Sequence, residues 1–450
     1  MIGPSRTAAL QALRAIHAGR SDLPSALARS REGLHDARDR ALTLEIVAGT
    51  LRWQRALDHV IARFSNRPLH ALDEDVLLIV RLSLFQILHL DRVPAAAVVD
   101  DAVDMCRAAR HGGASGFVNA VLRTALRNRG RLPLPARPDT AADRSASLAY
   151  LGVTCSHPDW LVERWLDRHG FDAAERWVQF NNTPPRLTLR VNRLRLTREA
   201  LQASLAADGI ASEPTPYAPG GLSVTSGNPL GAPPDGSFVV QDEASQVVAR
   251  AVAAQPGDRV LDLCASPGGK TTDMAADMAD TGLLIACDVR GRRVRLLRET
   301  VRASGARSAH LVHVATTGSL PFTAGFDRVL VDAPCSGLGT LRRDPDIRWR
   351  RTAPELIDLA ARQSQLLVRA ATVVAPGGRL VYATCSSEPE ENELVVRAFL
   401  SAHPDFALVD LRGEFPSAMQ PLVDEEGMLR TLPFAHGLEA FFAAALVRRT

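Results

Sequence analysis

The stretch VLDLCASPGGKTTDMA, Val260 to Ala275, runs from a short apolar segment into a turn holding Pro267, Gly268 and Gly269, and leaves it in a helical pattern beginning near Lys270. A buried strand that feeds a glycine turn and then a helix is the unit from which parallel sheets are built. The glycines let backbone come close to a ligand at the carboxyl end of the strand, where open α/β sheets bind cofactors. The turn is neither GxGxxG nor GxxxxGK[ST], so it lacks the dinucleotide fingerprint and the phosphate cradle of ATP sites. Roughly twenty residues further on, Asp288 ends the strand-like run LLIACDV, where a carboxylate can accept hydrogen bonds from both hydroxyls of a ribose. A nucleoside cofactor fits both features, although the same pair occurs in doubly wound sheets with other ligands.

From Gln241 onward the pattern repeats. RVLDLC, LLIACDV, SAHLVHV, FDRVLVDAP and GRLVYATC are short apolar runs, each followed by turn or helix signals. This predicts a Rossmann-like α/β domain over residues 241–450, a parallel sheet with helices on both faces. Two further strand ends then gain meaning. DRVLVDAPCSG delivers Asp332 and Cys335, and GRLVYATCSS delivers Cys385, all to the ligand-binding edge of that sheet. A buried cysteine is ordinarily an inert small hydrophobe, which is the reading for Cys106, Cys155 and Cys287. Cys335 and Cys385 differ, because a thiol in a loop after a strand, near a carboxylate and arginines, can be partly exposed and ionised.

On the amino-terminal side, Ser5 to about Arg129 has apolar residues at three- and four-residue spacing, as in ALTLEIVAGTLRW and DEDVLLIVRLSLFQILHL. This predicts an all-α domain over residues 1–135. Its last helix, GFVNAVLRTALRNRGR, would set Arg123, Arg127 and Arg131 on one face, by default a solvated one and alternatively a phosphate-binding one. RLPLPARPDT, Arg131 to Thr140, is too rich in proline to continue a helix and reads as a linker. Between residues 150 and 240 a helix near Asp159 to Arg168, an alternating run RLTLRVNRL and a Pro/Gly-rich segment to Gly236 suggest a small α+β module.

Composition sets the bounds. A chain of 450 residues exceeds one ordinary core, and about 100 to 200 residues per domain predicts several domains. With 46% hydrophobic and 23% charged residues it reads as globular and not disordered. The longest apolar stretch, Val76 to Leu90, is broken by Arg81, Ser83, Gln86 and His89, and the first residues lack a signal-peptide pattern, so no membrane partner and a cytoplasmic location are expected. Six scattered cysteines show no metal-ligand spacing, so no metal is expected. Net charge is only +3, which makes the distribution of charge more telling than its sum. Of the 53 lysines and arginines only Lys270 is a lysine. Arg290, Arg292, Arg293, Arg295 and Arg298 read as a solvated helix face; Arg342, Arg343, Arg348, Arg350 and Arg351 interleave with Trp349 and read as an RNA contact, phosphates on the cations and a base on the indole.

CASPGGKT, DAPCSG, RRDPDIRW and YATCSSEPEENE, in this order, resemble the signature blocks of the RNA cytosine-5 methyltransferase family. The helices with EIVAGTLRW, FQILHLDRVP and GFVNAVLR are similar to the RNA-binding domain shared with the antitermination factor NusB, which points to the bacterial small-subunit ribosomal RNA branch. SHPDWLVERW, PPRLTLRVN and QDEASQVV match as well, so the resemblance covers nearly the whole chain. It implies that Cys264, Ala265, Ser266, Pro267, Gly268, Gly269 and Lys270, with Asp288 and Asp332, hold S-adenosylmethionine. It also implies that Cys385 is the nucleophile, that Cys335 helps release product, and that Asp332 assists at the base. The partner implied is small-subunit ribosomal RNA, and the enzyme is expected to be a monomer. Such chemistry needs a thiolate, because C5 of cytosine attacks a methyl group only after addition at C6 makes the ring enamine-like.

The sequence departs from the family pattern twice. Val314 stands where an aspartate after the third strand would contact adenine, with Thr316 as a substitute acceptor, and Glu439-Ala440 replaces an Asp-Gly pair, a change expected to lie away from the thiols. The rival readings are a transfer-RNA substrate, an inactive RNA-binding assembly or antitermination factor, and a DNA cytosine methyltransferase using the cysteine of its Pro-Cys block. Retention of Lys270, Asp288, Asp332 and both thiols opposes the second, and the TCS block at Cys385 opposes the third.

Overall fold

The computed structural model describes residues 2–140, 143–231, 235–323 and 325–450. By internal packing these fall into two units, Met1–Pro184 with Leu341–Ala353, and Pro185–Thr340 with Pro354–Thr450.

The first unit is helical. Helices Pro4–His17, Leu23–Arg31, Ala37–Arg52, Gln54–Ser65, Glu74–His89, Ala95–Ala108 and Ser115–Arg127 enclose one core around Ile46, Val47, Ile61, Ile79, Val80, Val98 and Leu122. Asp22, Asp36 and Asp73 cap three of these helices, each carboxylate accepting an otherwise unpaired N–H of the first turn. Glu74–His89 buries residues around its whole circumference, and its Arg81 pairs with Asp58 at 2.6 Å, which explains the long apolar stretch as the centre of a bundle. Among the described residues no helix is long and apolar enough to cross a membrane. The last bundle helix stops at Arg127, so Arg131 lies beyond it; Arg123 and Arg127 are exposed and bond to Asn119 and Thr124 of their own helix, a solvated face.

Residues 131–140 contain neither helix nor strand. The helix expected near Asp159 continues to Asn182 with a break at Gly170 (φ 75), anchored by Trp165 stacked on Trp177 at 4.6 Å. It packs with the first unit, whereas the strands that follow pack with the second. The division by internal packing therefore falls at Pro184, inside the span expected to form the middle module.

The second unit holds two sheets. In the smaller, β1 (Thr188–Val191), β2 (Ala211–Pro214), β3 (Gly221–Ser226) and β4 (Phe238–Val240) lie in the order β2-β3-β1-β4, with all three pairings antiparallel. The larger comprises β5 (Arg259–Asp262), β6 (Leu283–Asp288), β7 (Ala309–His313), β8 (Phe326–Asp332), β9 (Val374–Thr384), β10 (Phe406–Val409), β11 (Leu429–Arg430) and β12 (Phe442–Arg448). Its order is β10-β12-β9-β8-β5-β6-β7, with β11 beside β12. The strands from β9 to β7 are parallel, and β10 to β12 add an antiparallel edge.

Alternate residues of the strands enter two cores. Val260, Leu284, Leu330 and Val381 face helices Glu243–Arg250 and Gly269–Asp277, while Leu261, Val329, Val331 and Leu380 face Glu355–Ala371 and Glu393–Ala402. A sheet buried on both faces accounts for the nearly continuous apolar runs. The chain leaves β5 toward β6 on one side, and β8 returns on the other, a topological switch where ligands bind.

Candidate active site

Asp262, Asp288 and Asp332 end β5, β6 and β8, and Cys385 follows β9, so one sheet edge gathers three carboxylates and a thiol. The turn after β5 approaches closely: Gly268 has φ +108, and a Cβ there would lie 2.8 Å from Leu297 Cδ1, which only glycine avoids. Arg190 of β1, 2% exposed, supports this turn by donating to the carbonyl of Gly269 at 3.1 Å and the Thr272 hydroxyl at 2.7 Å. Lys270 reaches from the first turn of its helix to Asp332, Nζ to Oδ2 at 2.7 Å, with its ammonium 5.6 Å from the centre of the Phe441 ring.

Asp262 is fully buried. The Thr271 hydroxyl donates to its Oδ2 at 2.7 Å, while Oδ1 has no hydrogen-bond partner. Burial pushes this carboxyl up to about 7, only partly offset by the Thr271 hydrogen bond. Asp288 is 3% exposed; its Oδ1 accepts the Arg290 N–H at 3.0 Å and its Oδ2 lies 4.0 Å from Arg293. An unpartnered buried carboxylate oxygen beside a glycine turn is what a polar, partly cationic nucleoside cofactor would satisfy, so these residues fit such a group.

Val314 is buried, and its N–H donates to the carbonyl of Asp288 at 3.2 Å, so its side chain adds an apolar wall here. Thr316 is exposed, and its carbonyl accepts from Arg369.

The two thiols meet. Cys335 Sγ lies 3.1 Å from Cys385 Sγ, and the Cys385 N–H donates to Cys335 Sγ at 3.3 Å. Both residues are half-buried. The hydrogen bond with Cys385, then burial, push the Cys335 thiol well up and hold it protonated. Cys106, Cys155 and Cys287 are buried in the cores, where burial pushes them up to about 11, 12 and 12, in keeping with inert packing.

Two expectations are corrected. Arg348 is fully buried, donating to the carbonyls of Arg52, Ser156, Asn181 and Leu341, and Trp349 donates its indole N–H to the Leu51 carbonyl at 2.6 Å. The Arg348 guanidinium is thus enclosed within the helical unit and unavailable to RNA, while half-buried Trp349 commits only its N–H there; an arginine-rich run does not reveal which cations a fold will bury. Arg342 lies 4.5 Å over the Phe180 ring and donates to the carbonyls of Thr183 and Pro184, while Arg342 and Arg343 both keep partial exposure. Ala440 lies against the loop that carries Cys385 and not away from it. The Ala440 N–H donates to Gly339, whose own N–H donates to the Cys385 carbonyl, and a Cβ on Gly339 would lie 1.8 Å from the Ala440 carbonyl oxygen.

Sequence reasoning missed Asp262, Phe441 and Glu391. Asp262 carried a signal, since it ends its strand as Asp288 and Asp332 end theirs. Phe441 arrives just ahead of the distant antiparallel strand β12 and carried none.

A parallel sheet that presents a glycine turn, strand-end carboxylates and paired thiols along one edge is the framework of an S-adenosylmethionine-dependent RNA methyltransferase. The chain belongs to the 16S rRNA methyltransferase RsmB/F family, whose description matches residues 249–447; a RsmF/B-like ferredoxin-like domain matches 157–230, and the NusB family matches 4–127. It is 34% identical over 416 residues, 91% of each chain, to the probable ribosomal RNA small subunit methyltransferase B of Bacillus subtilis. It is 36% identical, again over 91% of each chain, to the probable ribosomal RNA small subunit methyltransferase B of Synechocystis. Among solved structures, that of PH0851 superposes with a TM-score of 0.80 at 27% identity and 99% coverage of both chains.

Proposed function

We propose that the chain methylates C5 of a cytosine in small-subunit (16S) ribosomal RNA through a transient covalent bond from Cys385 to C6. The observation that carries this reading is the 3.1 Å thiol pair on the same sheet edge as the Lys270–Asp332 pair. S-adenosylmethionine, when bound by the Cys264–Lys270 turn with Asp288 and Asp332, supplies an electrophilic methyl group. Cys385 adds as thiolate to C6, and the ring electrons move toward C5 while Asp332, sharing a proton with N3, stabilises the enamine. C5 would then take the methyl group as its bond to the sulfonium sulfur breaks, that electron pair staying with the S-adenosylhomocysteine released. A base then removes the C5 proton, and Cys385 leaves as thiolate, restoring the 5,6 double bond. Cys335 contributes to this release, and its protonated state suits it to return a proton to the departing Cys385.

The target base must be splayed out of its helix to reach the thiols, so single-stranded or opened RNA is the substrate. The ribosomal assignment is supported by the names of the relatives and by the NusB-like helices. Arg342 and Arg343 are kept as phosphate contacts. The reading also entails a monomeric cytoplasmic enzyme that needs no metal.

The test uses tritiated S-adenosylmethionine with small-subunit ribosomal RNA or transfer RNA, followed by nucleoside chromatography. Label in 5-methylcytidine from ribosomal RNA is expected; label only in transfer RNA overturns the substrate. Cys385→Ala should lower turnover at least about ten-thousandfold, the scale of losing a nucleophile, whereas Cys335→Ala should leave RNA trapped on the protein. The reverse pattern overturns the nucleophile assignment.

A further inference from the structure

Behind the two thiols lies a buried carboxylate that the reaction as written does not use. Glu391 is fully buried, and both its oxygens are engaged by residues next to the cysteines. Oε1 accepts the Ser336 N–H at 2.8 Å and the Gln363 amide at 2.9 Å; Oε2 accepts the Ser336 and Ser386 hydroxyls, each at 2.5 Å. Ser336 follows Cys335, and Ser386 follows Cys385. Gln363 also donates to the Pro334 carbonyl at 3.0 Å, so both neighbours of Cys335 are tied to one cluster. The adjacent Asn392 does the same for Cys385: its Oδ1 accepts the Thr384 hydroxyl at 2.5 Å, and its Nδ2 donates to the Ser386 carbonyl at 3.0 Å. The Tyr382 hydroxyl, donating to the Glu391 carbonyl at 2.5 Å, fastens this turn to β9.

We propose that Glu391 is a positioning residue that clamps the two cysteine loops together, setting the separation of the thiols and making their reactivities unequal. Geometry supplies the first part, because one carboxylate bridges the Ser336 and Ser386 hydroxyls, which also lie 3.2 Å from each other. Electrostatics supplies the second. The Glu391 carboxylate near Cys335 opposes that thiol's ionisation, adding to its hydrogen bond with Cys385 and to burial. The division of labour between nucleophile and release thiol then originates in a residue that touches neither substrate nor cofactor.

This inference rests on the covalent mechanism for its kinetic part but not for its thiol part, and the experiment separates them. Glu391→Gln preserves shape while removing charge and turning one acceptor into a donor. In the RNA-free protein, iodoacetamide labelling followed by mass spectrometry should show Cys385 reacting before Cys335 in the wild type. In E391Q the rate at Cys335 should rise about tenfold at around pH 8, and its pH profile should move to lower pH. Turnover should fall tenfold or more, since small misplacements are costly, with KM for RNA little changed. Glu391→Asp, which keeps the charge, should restore the wild-type order of labelling; if E391Q does not fold, the E391D profile and turnover decide alone. Unchanged labelling order and pH profile, with only a lower Tm, would reduce Glu391 to a structural group and overturn the proposal. A wild type that makes no 5-methylcytidine would sink the mechanism while leaving the labelling result to judge the clamp.

Discussion

The strand-end edge around Cys335 and Cys385 and the segment Leu341–Ala353 are both dense in the residue types of RNA chemistry, yet their side chains are used differently. At the edge, functional groups meet one another: thiol to thiol at 3.1 Å and ammonium to carboxylate at 2.7 Å, with one oxygen of Asp262 left open. In the segment, donors are spent on main-chain carbonyls of the same unit, four of them by Arg348 alone. Exposure follows the same division, since Cys335, Cys385 and Asp332 are half-buried and Arg348 is fully enclosed. A cation whose hydrogen bonds are consumed by backbone holds a fold together; groups that face each other beside an open acceptor remain free to face a ligand.

The comparison breaks most visibly at Arg348. Arg348→Ala strands buried carbonyls and should cost about 1–3 kcal/mol of stability, read as a lower urea midpoint, with RNA affinity of the folded fraction unchanged. An intact midpoint with weaker RNA binding would restore the interface reading. Asp262 sharpens the other side. Its carboxyl lies higher folded than unfolded, so between pH 3.8 and about 7 the native state holds an extra proton and stability falls as pH rises through that window. Asp262→Asn should remove this slope, gaining stability relative to wild type at about pH 8 more than at about pH 5 while weakening S-adenosylmethionine binding in calorimetry. A parallel pH profile for the two proteins contradicts the assignment. The smallest effect is expected for Trp349→Phe, which deletes the bond to the Leu51 carbonyl and should cost about 1 kcal/mol, again without loss of RNA affinity.

Much of the site was legible because parallel sheets deliver residues to one edge by rule. Once RVLDLC, LLIACDV and DRVLVDAP are strands, the positions of Asp288, Asp332 and Cys335 follow from topology. The antiparallel additions were less legible. Ala440 and Phe441 reach the Cys385 loop and Lys270 only because β12 pairs with β9, a contact between residues distant in the chain. The helix Asp159–Asn182 could be found by periodicity, but its partner could not, because its apolar face fits a bundle or a sheet equally well.

Local chemistry and periodicity by themselves therefore determined the classes of element, the Rossmann-like sheet, the helical amino-terminal bundle and the residues that end each strand. Tertiary structure alone decided which arginines are buried, that Glu391 and Asn392 bracket both thiols, and that Ala440 lies beside Cys385. The physical reason is range: backbone patterns are written within a few residues, whereas desolvation and hydrogen-bond partners depend on whatever the fold brings into contact.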